Sequence, residues 1–314
     1  MVVGHSPRER GLHTHRHIRV GLALGSGSAR GWSHVGVIRA LLLAGIEPDI
    51  VCGSSIGALV GAAYAAGELD RLEPWVASLT RQGVMSLLDL RLSTGMIEGR
   101  KLMRYFRERF DDPGIEHLPR AFACVATELD SGREVWLRDG PVIDAVRASI
   151  ALPGLFTPMQ RDGRLLVDGG LVNPVPVSLC RAMGADVVVA VDLNWDLVGR
   201  RTRAAPSLYA EASDAPSTPA RARTLDSLWR RLWPSSDEPS ALPMPSMLGV
   251  LTASLNIMQV RITNSRLAGE PAEVVVRPRV AGIGPMDYHR GEVAMEAGQR
   301  AAEQVLPMLQ ELLA

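Results

Sequence analysis

The stretch Ile50-Val51-Cys52-Gly53-Ser54-Ser55-Ile56-Gly57-Ala58-Leu59-Val60 decides the fold. Ile50 to Cys52 is a short apolar run suited to a buried strand, Gly53 to Gly57 supplies the turn, and a helix begins near Ile56. Residues 50–67 are 18 residues without a charge, close to the roughly 20 a spanning helix needs. Gly53, Ser54, Ser55 and Gly57 interrupt them, so strand, turn and helix is the better reading. The same unit stands just upstream. Val20 to Leu24 is an apolar run closed by a Gly/Ser cluster, and Val35, Ile38, Leu41 and Leu42 then recur at helical spacing. Gly45 ends that helix and Pro48 keeps the chain extended into Ile50. Strand-helix-strand-helix order predicts an α/β fold, a three-layer sandwich with a mainly parallel central sheet and helices on both faces.

Further along, Ala121 to Thr127 and Glu134 to Leu137 read as strands, and Arg164 to Val167 follows an Asp162-Gly163 hairpin turn. Val187 to Asp192 is another buried strand. Residues 197–248 are rich in Arg, Ala, Pro and Ser and read as an insertion. Leu248, Leu251, Leu255, Met258 and Ile262 then fall at three- and four-residue spacing, which predicts an amphipathic helix. Val274 to Val276 is a late strand, and one helix from about Arg290 to Leu313 closes the chain. The expected organisation is a flexible arm over 1–18, a catalytic body over 19–196, the insertion over 197–248, and helices with a strand over 249–314 that complete the fold.

Composition narrows the function. The 314 residues are 46% hydrophobic and 22% charged, within the globular range. Lys+Arg and Asp+Glu are 34 each, so the basic excess of a nucleic-acid binder is missing. Cys52, Cys124 and Cys180 are distant and odd in number, and form neither a disulfide framework nor a zinc motif. His5, His13, His15 and His17 lie among arginines in the arm, which reads as solvated tail; no metal or cofactor is expected. Arg8, Glu9, Arg10 and Arg16 break up any leader-like apolar run, which places the expected location in the cytoplasm.

Gly53-Ser54-Ser55-Ile56-Gly57 fits G-x-S-x-G, with Ser55 between a buried strand and a helix. In a nucleophile elbow the flanking glycines permit the sharp turn that leaves the serine hydroxyl free, facing the positive end of the helix. The bare pattern is common in Gly-rich chains, and its placement supplies the weight. The earlier loop, Gly25-Ser26-Gly27-Ser28-Ala29-Arg30-Gly31, also joins strand to helix. Its spacing is one residue too long for a dinucleotide fingerprint, and its N–H groups suit an oxyanion hole. A serine needs a base. His289 follows both the serine and a plausible Asp and is one candidate. Asp168, in Val167-Asp168-Gly169-Gly170, ends an apolar strand at what by itself is an ordinary turn.

Together these residues resemble the patatin-like phospholipases, most nearly their bacterial branch. The loop with Arg30-Gly31, the elbow from Gly53 to Gly57 and the Asp168-Gly169-Gly170 turn stand in that family's order and spacing. Arg147 to Pro153 with Phe156 and Pro158, and Asn173-Pro174-Val175-Pro176, resemble its intervening segments. The resemblance covers residues 20–196 well and the tail from 248 weakly. It implies a patatin-like fold, Ser55 as nucleophile, Asp168 as base in a dyad without histidine, and Gly27 and Ser28 as oxyanion donors, with no cofactor. Gly25, Arg30, Gly31, Gly53, Gly57, Gly169 and Gly170 support the motifs. One departure is Ser26-Gly27-Ser28 where the family usually has three glycines, which restricts the loop's torsions.

The resemblance implies hydrolysis of fatty-acyl esters of lipids through an acyl-enzyme. Rival readings are a weakly active or inactive regulatory or adaptor protein on the same fold, and acyl transfer or thioester cleavage by the same dyad. A lipid substrate calls for membrane contact. Leu225, Leu228, Trp229, Leu232 and Trp233 fall on one face of a short helix, with Arg223, Arg230 and Arg231 nearby, so Trp229 and Trp233 are the candidates for peripheral contact. Packing of that face on the enzyme or a partner is the alternative. Residues 1–19 carry net +3 and residues 197–248 net +2, which leaves −5 on the remaining body of this neutral chain. The oligomeric state is not legible.

Overall fold

The computed structural model describes residues 17–87, 89, 97–109, 112–197 and 247–314. The strands are β1 (Val20–Leu24), β2 (Ile50–Ser54), β3 (Ala121–Glu128), β4 (Glu134–Leu137), β5 (Met159–Arg161), β6 (Arg164–Asp168), β7 (Val187–Val191) and β8 (Val274–Val276). The helices are α1 (Ser33–Leu43), α2 (Ile56–Ala65), α3 (Leu69–Ala77), α4 (Arg81–Leu87), α5 (Arg100–Arg109), α6 (Val142–Ser149), α7 (Val177–Ala182), α8 (Met247–Gly269), α9 (Gly291–Glu303) and α10 (Leu306–Leu313). Residues 1–16 of the 1–18 arm and residues 198–246, including Trp229 and Trp233, lie outside the described residues.

Following the hydrogen-bonded pairs gives β5-β6-β3-β2-β1-β7-β8, with β4 on β3 off that path. β3, β2, β1, β7 and β8 run parallel, and β4, β5 and β6 add antiparallel pairs. The parallel strands β1, β2 and β7 are buried along their whole length, as strands covered on both faces must be. One apolar cluster joins Leu22, Leu24, Val51, Val189 and Val191 to the helices on one face. A second joins Ala23, Ile50, Cys52 and Val188 to Val177, Leu179 and Cys180 of α7. Alternate residues of a strand point to opposite faces, so each strand feeds both layers. The architecture is the expected three-layer α/β sandwich.

Register on β3 positions the site. Cys124 and Val125 face Gly53 and Ser54 of β2 across one edge and Leu137 and Trp136 of β4 across the other. Ala126 and Thr127 face β4 on that second edge and Asp168 and Val167 of β6 on the first. β2 and β6 therefore share one edge of β3, running toward each other, and the C-terminal end of one meets the C-terminal end of the other.

Two differences from the sequence reading have physical causes. The last helix is two, α9 and α10, separated at Gln304 and Val305, and Pro307 opens the second, where its missing N–H costs nothing. In α8 the apolar stripe is not the buried face. Leu251 and Met258 are each 48% exposed, while Gln259, Val260 and Thr263 are buried. That side of α8 packs on polar groups, with Gln259 Oε1 accepting from Asn194 Nδ2 at 3.2 Å.

α1 and α9 pack closely through glycines that no motif marks. A Cβ on Gly36 would stand 1.9 Å from the Met295 carbonyl oxygen, and one on Gly298 would stand 1.9 Å from that of Ser33. Both obstacles are backbone, so the helices themselves would have to separate. Gly36→Ala and Gly298→Ala should each lower stability by about 1–3 kcal/mol in urea denaturation, whereas Gly282→Ala, with open space around it, should have no such effect.

Candidate active site

Ser55 occupies the turn between β2 and α2 with φ 55° and ψ −124°, a conformation L residues seldom adopt. Close packing explains its neighbours. A Cβ on Gly53 would lie 2.4 Å from the Ala58 nitrogen, and one on Gly57 would lie 2.2 Å from the Leu24 carbonyl oxygen. Glycine at both positions lets α2 rise directly off the sheet beside β1. The Ser55 N–H donates to Ser149 Oγ at 2.9 Å, and Ser149 Oγ donates to the Val125 carbonyl at 2.7 Å. Ser149 thus bridges the place on β3 where β2 stops.

Asp168 arrives from the opposite direction at the end of β6 and is fully buried. Its Oδ2 accepts from Ser55 Oγ at 2.6 Å and its Oδ1 from the Gly170 N–H at 2.7 Å. Gly169 approaches the Val125 carbonyl too closely for a side chain, and Gly170 is packed against Gln259 and Ser26. Burial drives the Asp168 pKa up to about 6, against the lowering effect of the Ser55 and Gly170 hydrogen bonds. The carboxylate is ionised at neutral pH, yet is far more basic than an ordinary aspartate.

The Gly-rich loop lies beside this pair. Gly25 N–H donates to Val191 O, Ser26 N–H to Pro174 O, Ala29 N–H to Pro285 O and Arg30 N–H to Gly27 O. Among the described residues the N–H groups of Gly27 and Ser28, between these anchors, donate to no carbonyl. Ser28 has φ 51°, the left-handed torsion that a glycine would take without strain, and this is where the departure from three glycines tells. Gly31 packs against Ile56, where a Cβ would overlap the side chain. Arg30 is buried behind the loop, bonded to Asn194 Oδ1 at 3.4 Å; burial lowers its pKa to about 10 against the attraction of Asp196, so it stays charged.

His289 is not at Asp168 or Ser55. Its Nε2 accepts from Arg81 Nε at 3.2 Å. His34 is buried instead beneath the loop, with Nε2 donating to the Gly25 carbonyl at 2.7 Å, and burial lowers its pKa to about 4. It is a neutral strut. Four supporting residues escaped the sequence reading as such: Ser149, His34, Asn194 and Asp196. Polar Asp192, Asn194 and Asp196 directly after a buried strand were the available signal, since sites in parallel sheets gather at the carboxyl ends of strands.

Ser55 and Ser28 open into a cleft of about 770 Å³, counted out to open solvent. Its walls are otherwise mainly apolar, including Trp32, Trp75, Phe106, Leu152 and Phe156. Tyr288 also lines it, beside Ser28 and within the field of Asp168, and burial raises its phenol to about 12.

The profile of the patatin-like phospholipase family matches residues 22–181, half of the chain, including Ser55, Asp168 and the Gly-rich loop. The chain belongs to the patatin-like phospholipase family. Relatives agree. An uncharacterized NTE family protein of Mycobacterium tuberculosis is 33% identical over 92% of this chain and 91% of its own length. Human patatin-like phospholipase domain-containing protein 6 is 30% identical over 91% of this chain and 20% of its own, and lysophospholipase nte1 of Aspergillus fumigatus 30% identical over 92% and 18%. This patatin-like phospholipase therefore spans about a fifth of the last two. The expectation of a lipid acyl hydrolase stands with the family. No described helix is long and apolar enough to cross a membrane.

The raised Asp168 pKa has a consequence for stability. Titrating near 6 in the fold against 3.8 otherwise, the buried carboxylate weakens folding above pH 6. As pH falls through 6 the folded state takes up a proton that the unfolded state does not, and the penalty is gone below 3.8. Asp168→Asn should therefore raise stability at pH 8, by on the order of 2–3 kcal/mol at most. The gain should shrink toward pH 4 in thermal denaturation.

Proposed function

We propose that the chain hydrolyses fatty-acyl esters of lipids with Ser55 as nucleophile and Asp168 as its general base. The observation that carries this reading is the 2.6 Å hydrogen bond from Ser55 Oγ to the buried Asp168 Oδ2 at the floor of an apolar cleft. Ser55 Oγ attacks the ester carbonyl carbon while its proton passes to Asp168. The carbonyl oxygen takes the electron pair and is held by the N–H groups of Gly27 and Ser28, with the positive end of α2 adding to the field. Collapse expels the alcohol, which takes the proton from Asp168 and leaves an acyl-enzyme. Water then adds to the acyl carbon, passing a proton to Asp168, and Ser55 recovers that proton as the fatty acid departs.

Burial supports the role of the base. An ordinary aspartate holds a proton too weakly to take one from serine, and desolvation brings Asp168 closer to the operating pH. The apolar walls support a fatty-acyl group, and the names of the fungal and human relatives support lipid esters. Delivery from a lipid surface belongs to the same reading, with Trp229 and Trp233 as the positions of contact.

Ser55→Ala and Asp168→Asn should each lower turnover of a p-nitrophenyl acyl ester by at least a hundredfold. His289→Ala should leave it within threefold, and the wild-type rate should rise with pH through about 6 as Asp168 ionises. A fluorophosphonate probe should label wild type and not Ser55→Ala. Loss of activity in His289→Ala with retention in Asp168→Asn would replace the dyad with a triad. For the surface contact, Trp229→Ala with Trp233→Ala should weaken co-sedimentation with anionic liposomes and leave hydrolysis of a soluble ester unchanged.

A further inference from the structure

Among the described residues three hydroxyl groups line the cleft, those of Ser28, Ser55 and Tyr288. Ser55 is the proposed nucleophile. The other two meet each other, and the loops that carry them are laced together. The Ala29 N–H donates to the Pro285 carbonyl at 3.2 Å, and Trp32 Nε1 donates to the Tyr288 carbonyl at 3.1 Å. The Trp32 and Tyr288 rings stand edge to face, with centroids 6.0 Å apart. Behind them the second loop closes on itself, the Gly284 N–H donating to Asp287 Oδ2 at 2.9 Å and Arg290 Nη1 to the Gly282 carbonyl at 2.6 Å. Tyr288 is thereby held against the Gly-rich loop by contacts that do not use its hydroxyl.

Ser28 calls for a reason of its own. Three non-glycine residues among those described have a positive φ: Asp162 in the β5–β6 turn, Ser55 in the elbow, and Ser28 at 51°. Such torsions are costly and gather at functional sites. Glycine would present the same N–H without strain, so what serine adds here is its hydroxyl. That hydroxyl bonds to the Tyr288 phenol. Burial, and then the charge of Asp168, raise the phenol to about 12 against the lowering effect of this bond. Neutral at working pH, the phenol is a donor and not a base.

We propose that Tyr288 is a third donor to the carbonyl oxygen that becomes negative when Ser55 attacks, with the Ser28 hydroxyl donating to the phenol oxygen and so fixing where the phenolic O–H points. The inference rests on Ser55 as nucleophile and on the Gly27 and Ser28 N–H groups, and it adds a side chain to them. An oxygen within reach of the Ser28 N–H lies beside that residue's own side chain, and hence beside the group bonded to it. Accepting a bond from Ser28 makes the phenol a stronger donor, because hydrogen bonds in a chain polarise one another. Timing works the same way. Asp168 loses its charge on taking the Ser55 proton, so its field stops opposing negative charge at the phenol in the step that forms the oxyanion.

An alkyl trifluoromethyl ketone isolates this donor. Ser55 Oγ adds to its carbonyl carbon, the serine proton passes to Asp168, and the π electron pair comes to rest on the oxygen, with no leaving group to depart. Tyr288→Phe keeps the ring beside Trp32 and should lower kcat on p-nitrophenyl butyrate about tenfold or more, with KM within about twofold. Ketone affinity should fall by a similar factor. Ser28→Gly keeps the N–H and relieves the torsion, yet should lower kcat and ketone affinity about threefold or more; it serves if Tyr288→Phe does not fold. In the Tyr288→Phe background Ser28→Gly should cost nothing further, because its hydroxyl acts through the phenol. Unchanged kcat and ketone affinity in Tyr288→Phe or in Ser28→Gly would overturn the third donor, and fully additive losses would overturn the pairing. Undiminished hydrolysis by Ser55→Ala would overturn the nucleophile instead, whatever these variants do.

Discussion

One edge of β3 serves two strands, and the site depends on that sharing. A parallel strand that ends in a sharp turn leaves the rest of its neighbour's edge without partners, and buried backbone groups left so are costly. β6 fills the vacancy from the opposite direction. Two strands meeting end to end bring their C-terminal residues together, which is how Ser55 and Asp168, 113 residues apart, come to share a hydrogen bond. The junction still leaves the Val125 carbonyl to satisfy, and the Ser149 hydroxyl takes it while holding the Ser55 N–H. The glycines around the junction follow from the same crowding: Gly53 and Gly169 sit where backbone passes too close for a Cβ.

Electrostatics follow from burial. Asp168 lies in the interior with two donors and, among the described residues, no cation hydrogen-bonded to it, so desolvation outweighs its hydrogen bonds and the carboxyl becomes more basic. Arg30 is equally buried but keeps its charge through Asn194 and the field of Asp196, and it braces the loop from behind. His34, whose burial outweighs its bond to the backbone, remains neutral and holds the Gly25 carbonyl. The loop is thereby anchored at both ends, and among the described residues the two N–H groups between the anchors donate to no carbonyl, as the proposed oxyanion role requires. Such a site needs no rearrangement as charge develops.

Local order was legible because it is written in short-range terms. The apolar runs that became β1, β2, β3 and β7, the helical spacing of α1, and the Asp162-Gly163 turn between β5 and β6 all depend on residues within a few positions of one another. α8 shows where that ends. Its leucine and methionine stripe was visible, but which face is buried depends on what lies beneath, and polar Asn194 lies there. The spacing of residues within α8 holds no information about Asn194.

The sequence by itself determined the α/β class, the strand-turn-helix around Ser55, the Gly-rich loop and the Asp-Gly-Gly turn, since glycine positions and apolar periods express constraints local to the backbone. It also left His289 standing beside Asp168 as a candidate base. Tertiary structure alone decided that Asp168 meets Ser55 while His289 faces Arg81, that Ser149 and His34 support the site, and that a second apolar pocket lies along α2. Each of these is a contact between distant segments. Strand register on β3 creates the first, and helix packing on the sheet creates the others.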